Sequence, residues 1–549
     1  MANSDKNQPQ DPTSSIDDVV SNINRQREEE FAKKKAAELG LAYRNMSHFQ
    51  PDPTAVSVIP KELAASARIF SISKQGGTVE LAVSDPDNEP TVAALKKLSE
   101  DTGHQFAPVL VSESSMDYLL SLYDTFAPGG YHAPSIDVTA EQQAVFKQGA
   151  SDLNEFKKLL AATNTSDLLD LIFAGATQLE ASDIHLEPTP KYIQLRYRLD
   201  GVLHDVAELP LATLESINNR IKILADLKLN ITEAAQDGRF SIIAPNAKYD
   251  VRVSLLPTQY GESAVMRLLP QESKFVSLDA LGLNQRDRQI IDTVIHQPNG
   301  LVLNTGPTGS GKTTTLYAIL NTINTPDTKI ITVEDPIEYR LAGVTQTQVD
   351  HDANYDFATA LRAIVRQDPD IILVGEIRDN ETADIAVDAS LTGHLVLSTL
   401  HTNDAAGAIP RLTDLGAKPP VFADALRLVI AQRLARRVCP ACFTKAAPTE
   451  TDIQKIRQLW PEAPIPAQVA ISHSCDKCNG TGYKGRVGLF EVLEITSEIK
   501  ARIAVGDSAQ AIRELATKQG MTTLAQDGVG KLAEGVTTID ELLRIAETR

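Results

Sequence analysis

Four short runs in the middle of the chain, Leu301–Leu303, Ile330–Val333, Ile371–Val374 and Leu395–Thr399, are apolar or β-branched and carry no charge. Runs of that kind suit strands buried on both faces of a parallel sheet. Helix-forming stretches such as Thr314–Thr322 separate them, so the pattern predicts an α/β domain. Upstream the pattern changes. Tyr192–Leu199 and Tyr249–Leu255 alternate apolar and polar residues as half-buried strands do, and Leu214–Leu227 reads as helical. Ser166–Ala181 carries Leu168, Leu169, Leu171, Ile172 and Ala176 as an apolar stripe at helical spacing, opening a second α/β domain. Nearer the N-terminus, helical stretches (Phe31–Leu39, Thr91–Ser99, Glu113–Tyr123) mix with β-rich runs (Ile69–Ile72, Val79–Val83, Pro108–Val111). The final stretch, Thr496–Arg549, reads as helical throughout.

These shifts set the domain boundaries. Residues 1–30 are rich in Asn, Gln, Asp, Ser and Glu and read as a disordered tail. A small α+β domain covers 31–126, and Gly129, Gly130 and Pro134 mark a linker over 127–150. The second α/β domain spans 151–272, a connection runs over 273–283, and the α/β core fills 284–438. A region bounded by four cysteines occupies 439–490, and the helical end covers 491–549.

Composition narrows the function classes. The chain of 549 residues is 42% hydrophobic and 23% charged, with a formal net charge of −19. Such an acidic chain repels phosphate backbones at long range, and only 5% of its residues are aromatic, so nucleic acid is not the expected partner. Met1–Asp17 lacks the basic and apolar regions of a secretory signal, and no run of 18 apolar residues appears. A cytoplasmic protein is expected, with only peripheral membrane contact.

The chemistry begins at Gly306-Pro307-Thr308-Gly309-Ser310-Gly311-Lys312-Thr313, with Thr314 next, which fits G-x-x-x-x-G-K-[ST] completely. Glycines let the backbone curl so that its N–H groups converge on phosphate oxygens at the positive end of a helix. Lys312 would reach the β- and γ-phosphates of ATP, and the Thr313 hydroxyl would ligate Mg²⁺. Asp370–Asp379 reads as a buried strand ending in Glu376, a carboxylate placed to orient the attacking water or hold Mg²⁺ through water.

Val333–Tyr339, Val374–Asp379 and Thr392–Asp404 resemble the aspartate, Walker B and histidine boxes of the motor ATPases of type IV pilus assembly and type II secretion. The resemblance spans about residues 30–549. It implies a RecA-like P-loop ATPase domain behind a PAS-like α/β domain, a small N-terminal α+β domain, a zinc-binding insert and a helical C-terminal tail. It also implies that Glu338, with Glu334 behind it, positions water and Mg²⁺ beside Glu376, and that His394 and His401 sense phosphate. Which carboxylate is the base stays open.

Arg196–Gly201, Gln236–Arg239, Arg252–Thr258 and Gly261–Arg267 resemble the family too, which marks Arg198, Arg239, Arg252 and Arg267 as arginines completing the site. Arg239 lies in a different domain from the loop, and the resemblance implies a closed homohexamer in which it reaches a neighbour's nucleotide. Glu233-Ala234-Ala235 replaces the basic, proline-containing segment usual in the family.

Cys439, Cys442, Cys475 and Cys478 form two C-x-x-C pairs, the pattern of a closed structural Zn²⁺ site, with redox or unbound thiols as the alternative. The 32 residues between the pairs exceed a compact ribbon, so an inserted loop must return. The insert and the extra N-terminal domain favour assembly over retraction motors. Ala36–Tyr43, Ile59–Leu63 and Val83–Pro86 resemble the family's N-terminal domain, which implies docking on an inner-membrane assembly protein while the motor core acts on an inner-membrane platform protein. The Arg-Leu-Gly repeats of cyclic-dinucleotide-binding versions are missing, so no such ligand is expected. Competing readings are a RecA-like nucleic-acid motor and a nucleotide-gated scaffold without turnover. Pilus assembly, type II secretion and DNA uptake are not separable at this level.

Overall fold

The computed structural model describes residues 16–46, 59, 61–75, 78–102, 105–121, 135–139, 160, 165–245, 247–271, 276–350 and 353–547. The chain divides into two compact units, Met1–Ser135 and Ile136–Arg549. In the first, β1 (Ala42–Tyr43), β2 (Ile69–Gln75), β3 (Thr78–Val83) and β4 (Gln105–Leu110) form a sheet in the order β1-β4-β3-β2. Its core gathers Ile69, Phe70, Leu81, Val83, Leu110 and Met116.

A helix over Ile16–Leu39 occupies half of the stretch expected to be a disordered tail, which is a correction. Its far end is anchored. Ala32 and Ala36 are buried, and Glu29 accepts hydrogen bonds from Tyr43, from Ser112 Oγ at 2.7 Å and from Ser115 Oγ at 2.8 Å. Those contacts hold a sequence that is polar enough to read as tail. Residues 1–15 and most of the expected linker over 127–150 lie outside the described residues.

The second unit holds two seven-stranded sheets. The first contains β5 (Ser135–Asp137), β6 (Asp183–Pro188), β7 (Tyr192–Leu199), β8 (Val202–Pro210), β9 (Gln236–Ala244), β10 (Ala247–Thr258) and β11 (Gly261–Pro270), ordered β5-β9-β10-β11-β6-β7-β8. Its strands from β6 to β11 pair antiparallel and alternate buried with exposed positions, as a sheet with one solvated face does. Helices Thr165–Gln178 and Leu214–Leu224 contribute Ile172, Phe173, Ile217 and Ile221 to the core on the buried face.

The second sheet contains β12 (Gly300–Thr305), β13 (Ile330–Glu334), β14 (Val344–Gln348), β15 (Ile371–Val374), β16 (Leu395–Leu400), β17 (Leu426–Val438) and, after the short pair β18 (Thr444–Ala446) and β19 (Val469–Ile471), β20 (Tyr483–Glu494). The order is β14-β13-β15-β16-β12-β17-β20, parallel except for β17 against β20. Every residue of β12, β13, β15 and β16 is buried, which explains the charge-free, largely apolar runs that fill them up to Glu334 at the end of β13. All the parallel strands end at one edge, where a RecA-like domain binds its ligand. Four helices, from Ser497–Ala504 to Ile539–Glu547, close the chain. No helix among the described residues is long and apolar enough to cross a membrane.

Candidate nucleotide site and metal centre

The loop between β12 and the helix Lys312–Ile323 has the shape its glycines allow. Gly306 and Gly311 adopt φ of +150° and +88°. A Cβ on Gly306 would lie 2.5 Å from the Gln432 carbonyl, and one on Gly311 would lie 2.8 Å from Gln432 Nε2. Neither position tolerates a side chain. Pro307, Thr308 and Gly309 are exposed, while Ser310 is buried. Lys312 Nζ donates to the carbonyls of Gly306 at 2.8 Å and Pro307 at 3.3 Å. Burial holds the Lys312 ammonium down to about 8, with Glu376 opposing that shift and Arg433 adding to it. Thr313 and Thr314 occupy the first turn of the helix, half-buried beside Lys312.

Glu376 follows β15 at the same edge. Arg378 pairs with its carboxylate, and His401 Nε2 lies 3.4 Å from Oε2. Arg378 also reaches Asp335 at 3.8 Å, which ties the aspartate box to the Walker B strand. Burial and the nearby Lys312 charge lower the His401 pKa, with Glu376 opposing them, so the ring is neutral at physiological pH. Two carboxylates, one imidazole and two cations therefore converge where β12, β13, β15 and β16 end. Lys312 and Glu376 lie close enough for their charges to interact, so both can serve one bound polyphosphate.

Three placements bear on the sequence reading. Glu334 is 3% exposed, and its carboxylate accepts from Tyr317, from Thr332 Oγ1 at 2.7 Å and from Gln346 Nε2 at 3.2 Å. A buried carboxylate needs such donors. Glu334 thus anchors the loop from below, whereas Glu338 is exposed on that loop. His394 sits at the opposite edge of the sheet: its carbonyl accepts from Gly300 N, at the start of β12, and its Nδ1 donates to Ala389 O at 2.9 Å. The six residues of β16 separate it from His401 by about 20 Å, so the two histidines do not share one site in a chain.

The third concerns the arginines. Arg239 pairs with Arg252, Arg252 with Arg267, Arg267 with Asp183, and Asp183 with Arg198, in one continuous row across β9, β10, β11, β6 and β7. Their neighbours along the strands, Phe240, Val251, Met266, Ile184 and Tyr197, are buried on the other face. Arg252 Nη2 donates to the carbonyl of Ile337, in the chain's own aspartate box, at 3.5 Å. At Arg252 the row therefore meets the chain's own ATPase domain.

The four cysteines converge as the sequence predicts. Their Sγ atoms all lie within 4.8 Å of one another, with separations of 3.8 Å (Cys439 to Cys475), 3.9 Å (Cys442 to Cys478) and 3.7 Å (Cys475 to Cys478). A tetrahedron with metal–sulfur bonds of about 2.3 Å has edges of about 3.8 Å. Gly482 N donates to Cys478 Sγ at 3.2 Å, as suits a thiolate. Antiparallel pairing of β18 with β19 brings the inserted loop back.

With that geometry in hand, the family follows from comparison. The family model for type II/IV secretion system proteins matches residues 161–544. The chain belongs to this family of secretion ATPases. It is 38% identical over 507 residues to the type IV pilus assembly ATPase PilB of Myxococcus xanthus, covering 92% of this chain and 88% of that one. It is 39% identical over 502 residues to the type II secretion system protein E of Dickeya dadantii, covering 90% and 98%. The MshEN domain model matches residues 39–128, within the first unit. The crystal structure of the Legionella pneumophila ATPase DotB aligns with a TM-score of 0.51 at 24% identity, over 71% of this chain and 97% of that one, a likeness of fold.

This secretion ATPase therefore hydrolyses ATP, and its family implies a nucleotide with Mg²⁺. Sequence reasoning missed several partners in its site. Arg378 lies inside the Walker B box, yet nothing in spacing shows that it bridges Glu376 and Asp335. Gln432, whose Oε1 accepts from Asn304 at 3.1 Å and Thr315 at 2.8 Å, lies in no motif and comes to the loop only through the β12–β17 pairing.

Proposed function

We propose that this chain is the cytoplasmic motor of a type IV pilus or type II pseudopilus machine, working as a homohexamer that drives an inner-membrane platform protein. The observation that carries the reading is Glu376 at the carboxyl edge of the sheet, held between Arg378 and His401 and facing Lys312. The likeness to PilB and protein E over nine-tenths of the chain supports the choice of machine. The first unit would dock on an inner-membrane assembly protein, and membrane attachment would run through partners.

When bound, Mg²⁺ would sit at the Thr313 hydroxyl and offset phosphate charge. Lys312 binds the β- and γ-phosphates. Glu376 orients the attacking water and accepts its proton, while neutral His401, with its Nε2–H toward Glu376 Oε2, and Arg378 fix the carboxylate. Glu338, exposed on the loop above Glu334, supplies a second carboxylate to the water. The row of Arg239, Arg252, Arg267 and Arg198 closes over the polyphosphate of the same chain, as the Arg252 contact with Ile337 supports. Closing and reopening of that face moves the second domain against the ATPase core, which is the mechanical step. Zn²⁺ on Cys439, Cys442, Cys475 and Cys478 fits the sulfur spacing and leaves no open position for chemistry.

Phosphate release by purified protein tests the reading. Glu376→Gln should bind ATP normally and turn over about 100-fold more slowly. Wild-type turnover would remove Glu376 from the mechanism, absence of turnover in wild-type rings would favour a scaffold, and stimulation by DNA would favour a nucleic-acid motor. Metal analysis should give one Zn²⁺ per chain, and four freely titrating thiols would refute that site.

A further inference from the structure

The arginine row holds one carboxylate, and the hydrolysis chemistry above gives it no task. Asp183 is 4% exposed. Its Oδ1 accepts from Arg267 Nε at 2.9 Å, its Oδ2 lies 3.2 Å from Arg198 Nε, and Ser182 Oγ donates to Oδ2 at 2.8 Å. Burial alone would raise its pKa. Hydrogen bonds from Arg267 and Ser182, with the charges of both arginines, outweigh burial and hold the carboxyl below the usual carboxylate range.

Two features set this apart from a simple strand staple. First, β6 is already joined to β11 and β7 by backbone ladders on both sides, so the sheet does not depend on an ion pair there. Second, both arginines meet Asp183 through Nε. A guanidinium is a rigid plane with five donors, so anchoring it at Nε fixes the direction of its Nη edge. Arg198 is further held by a bond from Nη1 to Gly201 O at 3.3 Å. The row also needs a negative charge somewhere. Like charges directly opposite one another on adjacent strands destabilise a sheet, and Arg239, Arg252 and Arg267 are three in succession.

We propose that Asp183 is a positioning residue for ATP hydrolysis, fixing Arg198 and Arg267 by their Nε atoms so that Arg198 Nη2 and the Nη edge of Arg267 face the polyphosphate. The proposal rests on the reading of the arginine row as a clamp on the chain's own nucleotide. Asp183 touches no phosphate; it acts through the two arginines and relieves the repulsion within the row. Arg239 and Arg252, outside its reach, bind anion without its help.

Steady-state hydrolysis by the full-length hexamer tests it. Asp183→Asn should lower kcat about tenfold through misoriented donors, with KM for ATP changed less than about twofold, because the loop around Lys312 still binds the nucleotide. Asp183→Glu should recover part of kcat. In an Arg198→Ala/Arg267→Ala background, Asp183→Asn should add less than about twofold, since the residues it works through are gone. Equal loss in both backgrounds, or unchanged kcat in the single variant, overturns the proposal. Arg239→Ala assayed alongside separates the two readings. Wild-type kcat in that variant removes the clamp, and Asp183's role with it; a large loss there beside a silent Asp183→Asn removes only the positioning role. If Asp183→Asn does not fold, Arg198→Lys/Arg267→Lys keeps charge without the Nε fork. It should show the same fall in kcat at unchanged KM, and full activity would overturn the proposal.

Discussion

In the ATPase sheet, β12, β13, β15 and β16 are buried along their whole length, whereas the antiparallel sheet before it keeps one face polar. The two sheets therefore offer chemistry in different places. A sheet covered on both faces has only its strand ends to give, so Lys312, in the first turn of its helix, gathers at one edge with Glu376 and His401 on their loops. A half-covered sheet can use a whole face, so Arg239, Arg252, Arg267 and Arg198 form a row across five strands. The edge is set by topology and the row by register. A loop can drift without unfolding the sheet, but a one-residue register slip would send every arginine of a strand into the core.

The largest expected effects ask whether edge and face serve one nucleotide. Lys312→Ala should abolish nucleotide-dependent activity, because the phosphates lose their fixed counter-charge. Arg239→Ala should lower kcat about 100-fold, the scale for removing one preorganised donor. Mixing the two variants in confirmed mixed rings should restore no activity if the arginine face acts within its own chain. Recovery would show that the face serves a neighbouring nucleotide, and would separate the two sheets functionally.

How much was legible follows the same division. The parallel strands appear in the sequence as continuous apolar runs, and Ile371–Val374 matches β15 residue for residue. Edge chemistry was readable because each box lies next to the strand that delivers it, as with Lys312 and Glu376. Face chemistry was readable only as separate arginines. Register between distant strands made them a row, and it alone revealed Asp183 among them. The histidines show the opposite error. His394 and His401 flank one strand and look equivalent, yet a strand of six residues carries them to opposite edges. The resemblance implied a role for Glu334 behind Glu338 at the water, but its carboxylate points into Tyr317, Thr332 and Gln346, none of which spacing could place.

The histidines give a smaller effect that sharpens the contrast between edges. His401→Ala should slow hydrolysis at least about tenfold, because it removes a donor beside Glu376. His394→Ala should change kcat less than about twofold in the same assay, since its ring holds Ala389 O at the far edge. Equal losses would mean that His394 reaches a nucleotide by a route outside its own chain.

The smallest effect is a pH dependence that belongs to the edge and not to the face. Lys312 is held down to about 8 by burial, while the row is built of arginine, whose guanidinium is a permanent cation. Polyphosphate binds the ammonium, so binding above pH 8 must first return a proton to Lys312. The dissociation constant for ATP should be nearly flat from pH 7 to 7.5 and then rise, approaching tenfold per pH unit. Folding carries the opposite sign. The folded-state pKa lies below the unfolded value of 10.5, so the unfolded chain binds more protons between about 8 and 10.5, and this group's contribution to stability grows with pH across that window. Nucleotide-free melting temperature and ATP affinity should therefore diverge as pH rises, other titrations being matched by a Lys312→Ala control. His401 does not confuse the measurement, because its pKa is shifted down and away from this range. In Lys312→Arg the cation cannot lose its proton, and whatever affinity remains should be flat to pH 9. A wild-type dissociation constant that is equally flat would show that Lys312 stays charged in its loop, and that edge and face present permanent charge alike.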